Sequence, residues 1–378
     1  MERVRIGMIG GGEGAFIGAV HRAAMRLDGR FDLLAGAFSR DAARSACSGR
    51  ALGVAPDRSY PTYAAMIAAE ESALDAVAVV TPNDTHAEAS ALAAQAGLAV
   101  ICDKPATRTL AEAMDLGGTL AETRTLYALT HAYLGYPLVH EAQARIARGD
   151  LGVIRRVDVR YVQGWLAKPD GSKQADWRTD PVRAGAGGAT GDIGTHAMNL
   201  AEFVSGARVE ALACDLRAAV PERALDDDAS ALLRLSGGVR GTLVCSQVCA
   251  GEENGLRLTV SGDEGTLSWR QEAPNTLTIK RAGGETLCVR AGQGAPGLTE
   301  GASAMFRTPM GHPEGYLEAF AALYGAFADA VLTGERPAWL PGIEDGVRGL
   351  AFVEAMVASS ARDATWVSLD KTIRKGAG

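Results

Sequence analysis

Through the first third of the chain, short continuous apolar runs alternate with amphipathic stretches. Val4–Gly10, Phe31–Phe38, Ala76–Val80 and Ala99–Cys102 read as strands. Helical spacing runs over Ala15–Leu27, Asp41–Leu52, Tyr63–Glu70 and His86–Gln95. A helix over Leu110–Thr123 and a strand near Leu126–Thr130 complete the pattern. Strands that are apolar throughout, separated by helices, belong to a parallel sheet covered on both faces.

After a helix over Leu138–Arg148 the texture changes. Val153–Val162, Val209–Arg217, Ala229–Leu235, Val239–Gln247, Leu256–Gly262, Thr266–Trp269, Leu277–Arg281 and Thr286–Val289 all read as strands. Short connections such as Ser236-Gly237-Gly238 join most of them, which argues for an antiparallel meander. Two helices follow, Gly315–Leu332 and Ile343–Ala361. The Gly-, Ala- and Pro-rich stretch Ala291–Pro313 reads as a long loop, and the tail Lys371–Gly378 as frayed. The expectation is an α/β nucleotide-binding domain over residues 1–130 and an α+β domain over residues 131–378.

Composition narrows the function. At 378 residues, 47% hydrophobic and 22% charged, the chain is too long for one ordinary core and too apolar for general disorder. A net charge of −7 argues against nucleic acid as partner. No apolar run reaches the roughly 18 residues that cross a bilayer, so no membrane partner is expected either. The first strand begins at once, without a leader pattern, and the six cysteines sit in mostly apolar contexts, which suits a reduced cytoplasmic protein. Cys245 and Cys249 lack the further ligands of a tetrahedral site, and no metal is expected.

The first strand runs into Gly10-Gly11-Gly12-Glu13-Gly14-Ala15-Phe16-Ile17-Gly18. Glycines there let the backbone approach a pyrophosphate, which the free N–H groups of the next helix can bind. Two registers fit the dinucleotide fingerprint: Gly10-x-Gly12-x-x-Ala15, or Gly10, Gly12 and Gly18 with a three-residue insertion. At the end of the second strand stand Ser39 and Arg40, with Arg44 one turn on. A hydroxyl and guanidinium groups suit the 2′-phosphate of NADP better than the bare diol of NAD, giving a slight preference for NADP. Ser39 could instead cap the next helix, and Asp41 could take the acidic role that selects NAD. Two further strand ends carry polar clusters, Thr81-Pro82-Asn83-Asp84-Thr85-His86 and Asp103-Lys104-Pro105, where ligands of open parallel sheets bind. His86 could bound a nicotinamide pocket, and Asp103 reads as a structural partner.

In the second half, Gly187-Gly188-Ala189-Thr190-Gly191 reads as a flexible glycine loop that leads into Asp192-Ile193-Gly194-Thr195-His196 and opens a short helix capped by Gly206. Asp192 and His196, four apart, share a helix face, so the carboxylate can orient the imidazole. A helix start at this point would lower the imidazole pKa and favour a neutral base. An ordinary surface pair has the same spacing. Trp165, Trp177 and Arg178 lie in a polar loop and could line a sugar site; packing within that loop explains them equally well.

Together these residues resemble the Gfo/Idh/MocA oxidoreductases, the group of glucose-fructose oxidoreductase and inositol dehydrogenase. The resemblance rests on Gly10-x-Gly12 with Gly18-x-x-His21, Thr81-Pro82-Asn83-x-x-His86, and Asp103-Lys104-Pro105 in place of the usual Glu-Lys-Pro. Further matches are Gly149-x-Leu151-Gly152-x-Ile154 and Gly191-Asp192-x-Gly194-x-His196. It implies a Rossmann domain followed by a large open, mainly antiparallel sheet, a homodimer or homotetramer, and oxidation of a sugar or cyclitol hydroxyl with NAD(P). Lys104, Asp192 and His196 are then the catalytic set. Cofactor contacts are expected at Gly10, Gly12, Phe16, Ile17, Gly18, Ser39, Arg40, Arg44, Thr81, Pro82, Asn83, His86, Asp103 and Lys104. His312 and Tyr316 resemble a late segment of a sugar-directed subgroup and join Trp165 and Arg178 as substrate candidates. Asn199 stands where relatives often carry an acidic residue. Two alternatives stay open: an NAD-dependent glycosidase that works by transient oxidation, and a non-catalytic NAD(P)-binding regulator.

Overall fold

Five parallel strands, β1 (Val4–Gly10), β2 (Phe31–Ala37), β3 (Ala76–Val80), β4 (Ala99–Cys102) and β5 (Tyr127–Leu129), form a sheet in the order β2-β1-β3-β4-β5. A computed structural model describes residues 2–169 and 171–376. All of β3 is buried, as its unbroken Ala-Val-Ala-Val-Val sequence requires of a strand covered on both faces. The covering helices are α1 (Phe16–Leu27), α2 (Ala42–Leu52), α3 (Tyr63–Glu70), α4 (His86–Gln95) and α5 (Leu110–Thr123). Local chemistry sets their starts. Asp41 caps α2, Thr62 caps α3, and Thr109 with Glu112 forms a reciprocal capping box on α5.

The chain divides into two compact units, Met1–Ala132 with Phe320–Val347, and Tyr133–Ala319 with Arg348–Gly378. The second is built on nine strands: β6 (Ile154–Val162), β7 (Val209–Arg217), β8 (Asp228–Leu235), β9 (Arg240–Ser246), β10 (Gly255–Gly262), β11 (Gly265–Arg270), β12 (Thr276–Arg281), β13 (Thr286–Arg290) and β14 (Val367–Ser368). Their order is β13-β12-β11-β10-β6-β9-β8-β7-β14. Along β8 buried and exposed residues alternate, the signature of a sheet with one covered face. Leu243, Leu256 and Leu258 on that face share a core with Leu138 and Val139 of α6 (Pro137–Ala147) and with Leu200 and Val204 of α9 (Thr195–Ser205).

The sheet is not a simple meander. β6 lies between β9 and β10 and runs parallel to β9, because α7 (Lys173–Arg178), α8 (Pro181–Ala184) and α9 intervene before β7. The expected loop 291–313 also holds a short helix, α10 (Glu300–Ala304), capped by Thr299. Buried Glu141 accepts hydrogen bonds from the Thr299 backbone N–H (2.7 Å) and hydroxyl (2.8 Å) and pins that segment to α6. Two long helices follow, α11 (Tyr316–Thr333) and α12 (Ile343–Ser360), and the tail is helical as α13 (Leu369–Gly376) rather than frayed up to that point.

A single break after residue 130 does not describe this chain, since Phe320–Val347 returns to the first unit. There Phe320, Tyr324 and Phe327 are buried, and the Pro341 carbonyl accepts a hydrogen bond from Leu129 N at 2.9 Å. The returning segment thereby covers the edge of β5.

Candidate active site

In the first unit, β1 ends on Gly10 and Gly11, both with positive φ (83° and 71°). A Cβ on Gly18 would stand 2.3 Å from Gly11 Cα and 2.6 Å from its carbonyl oxygen, so the first turn of α1 rests directly on the turn after β1. This contact decides between the two registers: Gly18 is the close-packing glycine, and residues 13–15 are the insertion. Ala15 gives α1 no side-chain cap, and the first turn holds no acidic residue. The opening N–H groups at Phe16, Ile17 and Gly18 are thus left for an anion. A Cβ on Gly12 would meet the Phe38 carbonyl at 2.7 Å. A dinucleotide pyrophosphate fits this cradle of bare backbone.

At the end of β2, Asp41 is the helix cap and accepts from Arg44 N at 2.9 Å. Ser39 does not cap α2; its hydroxyl accepts from Asp41 N at 3.2 Å. Arg40 is 83% exposed and lies 3.7 Å from Asp84, and Arg44 is exposed.

The ends of β3 and β4 form a polar nest. Thr85 donates to the Thr81 hydroxyl at 2.6 Å, and Asn83 is buried. Asp103 accepts from the Thr130 hydroxyl at 2.8 Å and faces the buried His21 ring at 3.7 Å; the other His21 nitrogen meets Tyr324 Oη at 2.8 Å. Burial alone would raise the Asp103 carboxyl. The neighbouring His21 ring, the Lys104 ammonium and the Thr130 hydroxyl outweigh that and hold it well below the usual carboxylate range. Burial, reinforced by Lys104, pushes His131 down to about 3, so its ring is neutral. Lys104 itself is half-buried at the strand end. His21 serves this nest rather than a ligand, and His140 is a core residue: it donates to the Leu134 carbonyl and packs on Phe203.

In the second unit, α9 does not begin at Asp192. Helical backbone starts at Ala189 and makes one wide turn, Thr190–Gly194, in which Thr195 N reaches back five residues to Thr190 O. His196 therefore lies well inside a helix, and the expected help from a helix N-terminus is absent. Nor are the glycines before it a flexible hinge. A Cβ on Gly188 would stand 2.1 Å from Asp226 O, and one on Gly187 2.3 Å from Thr190 Oγ1. Asp226 holds this start by accepting from Gly188 N, Thr190 N and the Thr190 hydroxyl at 2.8–3.0 Å.

His196 is buried, with Tyr133 edge-on at 4.9 Å between ring centroids. Asp192 accepts from Gln247 Nε2 at 2.8 Å and faces Arg178 Nε at 3.4 Å. Around them runs a wall of amides and hydroxyls. Gln163 Nε2 donates to Asn254 Oδ1 at 2.8 Å, Tyr161 Oη donates to the same oxygen at 2.7 Å, and Trp165 Nε1 donates to Gln163 Oε1 at 3.0 Å. The Tyr133 and Tyr161 hydroxyls also bond each other, and burial raises both phenols, keeping them protonated. Sequence reading missed Tyr133, Tyr161, Gln163, Gln247 and Asn254; position at the ends of β6 and β9 was the available signal for Tyr161, Gln163 and Gln247. Trp177 instead lies under the Arg178 guanidinium at 4.2 Å. Asn199 is buried. Tyr316 opens onto a cleft of about 510 Å³ shared with Tyr136, Gln271 and Asn275, while the side chain of His312 is exposed outside that lining.

Among the described residues no helix is long and apolar enough to cross a membrane, and no group of three His, Cys, Asp or Glu side chains is placed to hold a metal ion. Comparison with known proteins gives two family matches. Residues 4–131 match the oxidoreductase family with an NAD-binding Rossmann fold, and residues 139–268 the GFO/IDH/MocA C-terminal domain. The uncharacterized oxidoreductase YfiI of Bacillus subtilis is 33% identical over 96% of both chains. Levoglucosan dehydrogenase of Pseudarthrobacter phenanthrenivorans is 26% identical over 74% of this chain and 76% of its own. The crystal structure of an inositol dehydrogenase homolog from Azotobacter vinelandii, complexed with NAD+, superposes with a TM-score of 0.93 at 36% identity over 97% of both chains.

Proposed function

Because this chain belongs to the Gfo/Idh/MocA family of NAD-binding oxidoreductases, we propose that it moves a hydride between a nicotinamide cofactor and a hydroxyl-bearing carbon of a sugar, glycoside or cyclitol. The observation that carries the substrate class is the wall beside His196. Tyrosine hydroxyls and the amides of Gln163, Gln247 and Asn254 converge there, with Trp165 alongside, and that is a surface suited to a polyol. The names of the levoglucosan and inositol relatives agree with that class.

The nicotinamide supplies the hydride acceptor when bound. His196 then takes the proton from the substrate hydroxyl through a ring nitrogen, and returns it in the reverse direction. Asp192, itself fixed by Gln247 and Arg178, stabilises the charged imidazole. Lys104 donates a hydrogen bond to the reacting oxygen and stabilises the negative charge that develops on it.

Ser39, Arg40 and Arg44 would receive a 2′-phosphate, while Asp41 is committed to the helix cap. We therefore read the site as accepting both dinucleotides, with NADP favoured. All six cysteines are free, in keeping with a reduced cytoplasmic enzyme, and a homodimer or homotetramer completes the reading.

The test is a panel of monosaccharides, glycosides and inositols, each assayed with NAD and with NADP. Net cofactor reduction by a free sugar or inositol supports the proposal. Glycoside cleavage without net reduction would replace it with the elimination chemistry of an NAD-dependent glycosidase.

A further inference from the structure

His86 is the first residue of α4, directly after the turn that ends β3, and its ring is 1% exposed. Nδ1 lies 2.8 Å from the Pro105 carbonyl oxygen, and Nε2 lies 2.8 Å from the Thr81 carbonyl oxygen. A carbonyl oxygen only accepts. A neutral imidazole carries a single N–H, so one of these contacts would press a nitrogen lone pair against an oxygen lone pair. Both contacts are hydrogen bonds only when both ring nitrogens are protonated.

The groups around the ring bear on this state in both directions. Burial disfavours the cation, as does its place at the start of a helix. The Cys102 side chain, the Pro105 carbonyl and the Asp103 carboxylate favour it, with the buried Tyr127 hydroxyl beyond Cys102. The favourable groups prevail, and the ring is pushed up to about 9.

We infer that His86 is a positioning residue charged at neutral pH: a buried imidazolium that ties the turn after β3 to the segment carrying Lys104. Its Nδ1–H holds the carbonyl of the residue that follows Lys104, and its Nε2–H holds the first residue of the Thr81-Pro82-Asn83 turn. With both ring nitrogens committed to backbone, His86 acts on the lysine rather than donating to a cofactor. The inference rests on the proposed role of Lys104 for its functional consequence, but not for its physical content.

Two measurements separate these. Two-bond ¹H–¹⁵N correlation of histidine-labelled wild-type protein, with the His86 signals assigned by their loss in His86→Gln, should show both ring nitrogens protonated from about pH 6 to 8. A single protonated nitrogen at neutral pH would overturn the clamp, whatever the enzyme turns over, and no variant need be active for this reading. In the substrate assay, His86→Gln should keep cofactor Kd within about threefold and lower kcat roughly 10- to 100-fold, as expected when a reacting group is displaced by about 1 Å. Unchanged kcat in a folded His86→Gln would overturn the positioning role. If wild-type protein oxidises no polyol, the proposed activity fails while the ring protonation still stands or falls on its own spectrum.

Discussion

Replacing Gly18 by alanine is the sharpest probe of the cofactor cradle. The added methyl would lie 2.3 Å from Gly11 Cα and 2.6 Å from Gly11 O. Carbon atoms in ordinary contact stand about 3.5–4.0 Å apart, so helix and turn must separate by more than 1 Å. Both partners are backbone, and no flexible side chain can yield instead. Overpacking of this kind costs about 1–3 kcal/mol. If the strain is relieved by moving the turn after β1, most of that cost falls on dinucleotide binding. At 1.4 kcal/mol per tenfold, Kd weakens by roughly 5- to 100-fold. The assay is a fluorescence titration with NADPH and NADH, run beside thermal unfolding of the free protein. Gly118→Ala is the control: it lies in α5 with nothing within 4 Å of the new methyl, and it should leave Kd unchanged while stabilising the helix by about 0.5–1 kcal/mol. Wild-type affinity in a folded Gly18→Ala protein would refute the cradle.

Three other outcomes follow from the same structure. Arg40→Ala and Arg44→Ala should raise KM for NADP several-fold and leave KM for NAD nearly unchanged; equal effects on both would remove these residues from cofactor selection. Gln247→Leu strips Asp192 of a charge-assisted hydrogen bond worth about 1.5–3 kcal/mol and should lower kcat/KM roughly 10- to 100-fold with little change in cofactor Kd, whereas an unchanged kcat/KM would deny Gln247 its part in positioning Asp192. Arg58→Met leaves the nearly buried Glu70 without its guanidinium partner and should cost about 3 kcal/mol at neutral pH. Arg58 hydrogen bonds hold the Glu70 pKa below its ordinary value, so this stability is present above that value and is lost as pH falls through the folded one. The gap in Tm between wild type and variant should therefore close below about pH 4. A gap independent of pH would contradict the assignment.

Strand–helix alternation made the first unit legible because its strands are buried on both faces and flanked by capped helices. The expected β3, β4, α3, α4 and α5 agree with the observed bounds to the residue. What pattern could not show was pairing. Nothing in Ile154–Val162 distinguishes a parallel neighbour from an antiparallel one, so the place of β6 beside β9 was invisible. The return of Phe320–Val347 depends on contacts more than 200 residues away in sequence, which no local signal carries. At the candidate site, the motifs drew attention to Asp192 and His196 through their glycines. The reason assigned to those glycines was nevertheless wrong: Gly187 and Gly188 permit close approach to Thr190 and Asp226, not motion. Gln163, Gln247 and Asn254 went unnoticed because single amides at strand ends carry no spacing rule. His86 stood out only as a histidine at a strand end; its two carbonyl partners lie 5 and 19 residues away and meet the ring only in the folded unit.

In the proposed reaction Lys104 acts on the reacting oxygen of the substrate and His196 on its proton. Single-turnover stopped-flow reduction of NAD(P) at saturating cofactor and polyol tests it in wild type, Lys104→Met and His196→Asn. Each variant should bind cofactor within about threefold of wild type and transfer hydride about 10²- to 10⁴-fold more slowly. Hydride transfer within tenfold of wild type in either variant would contradict it.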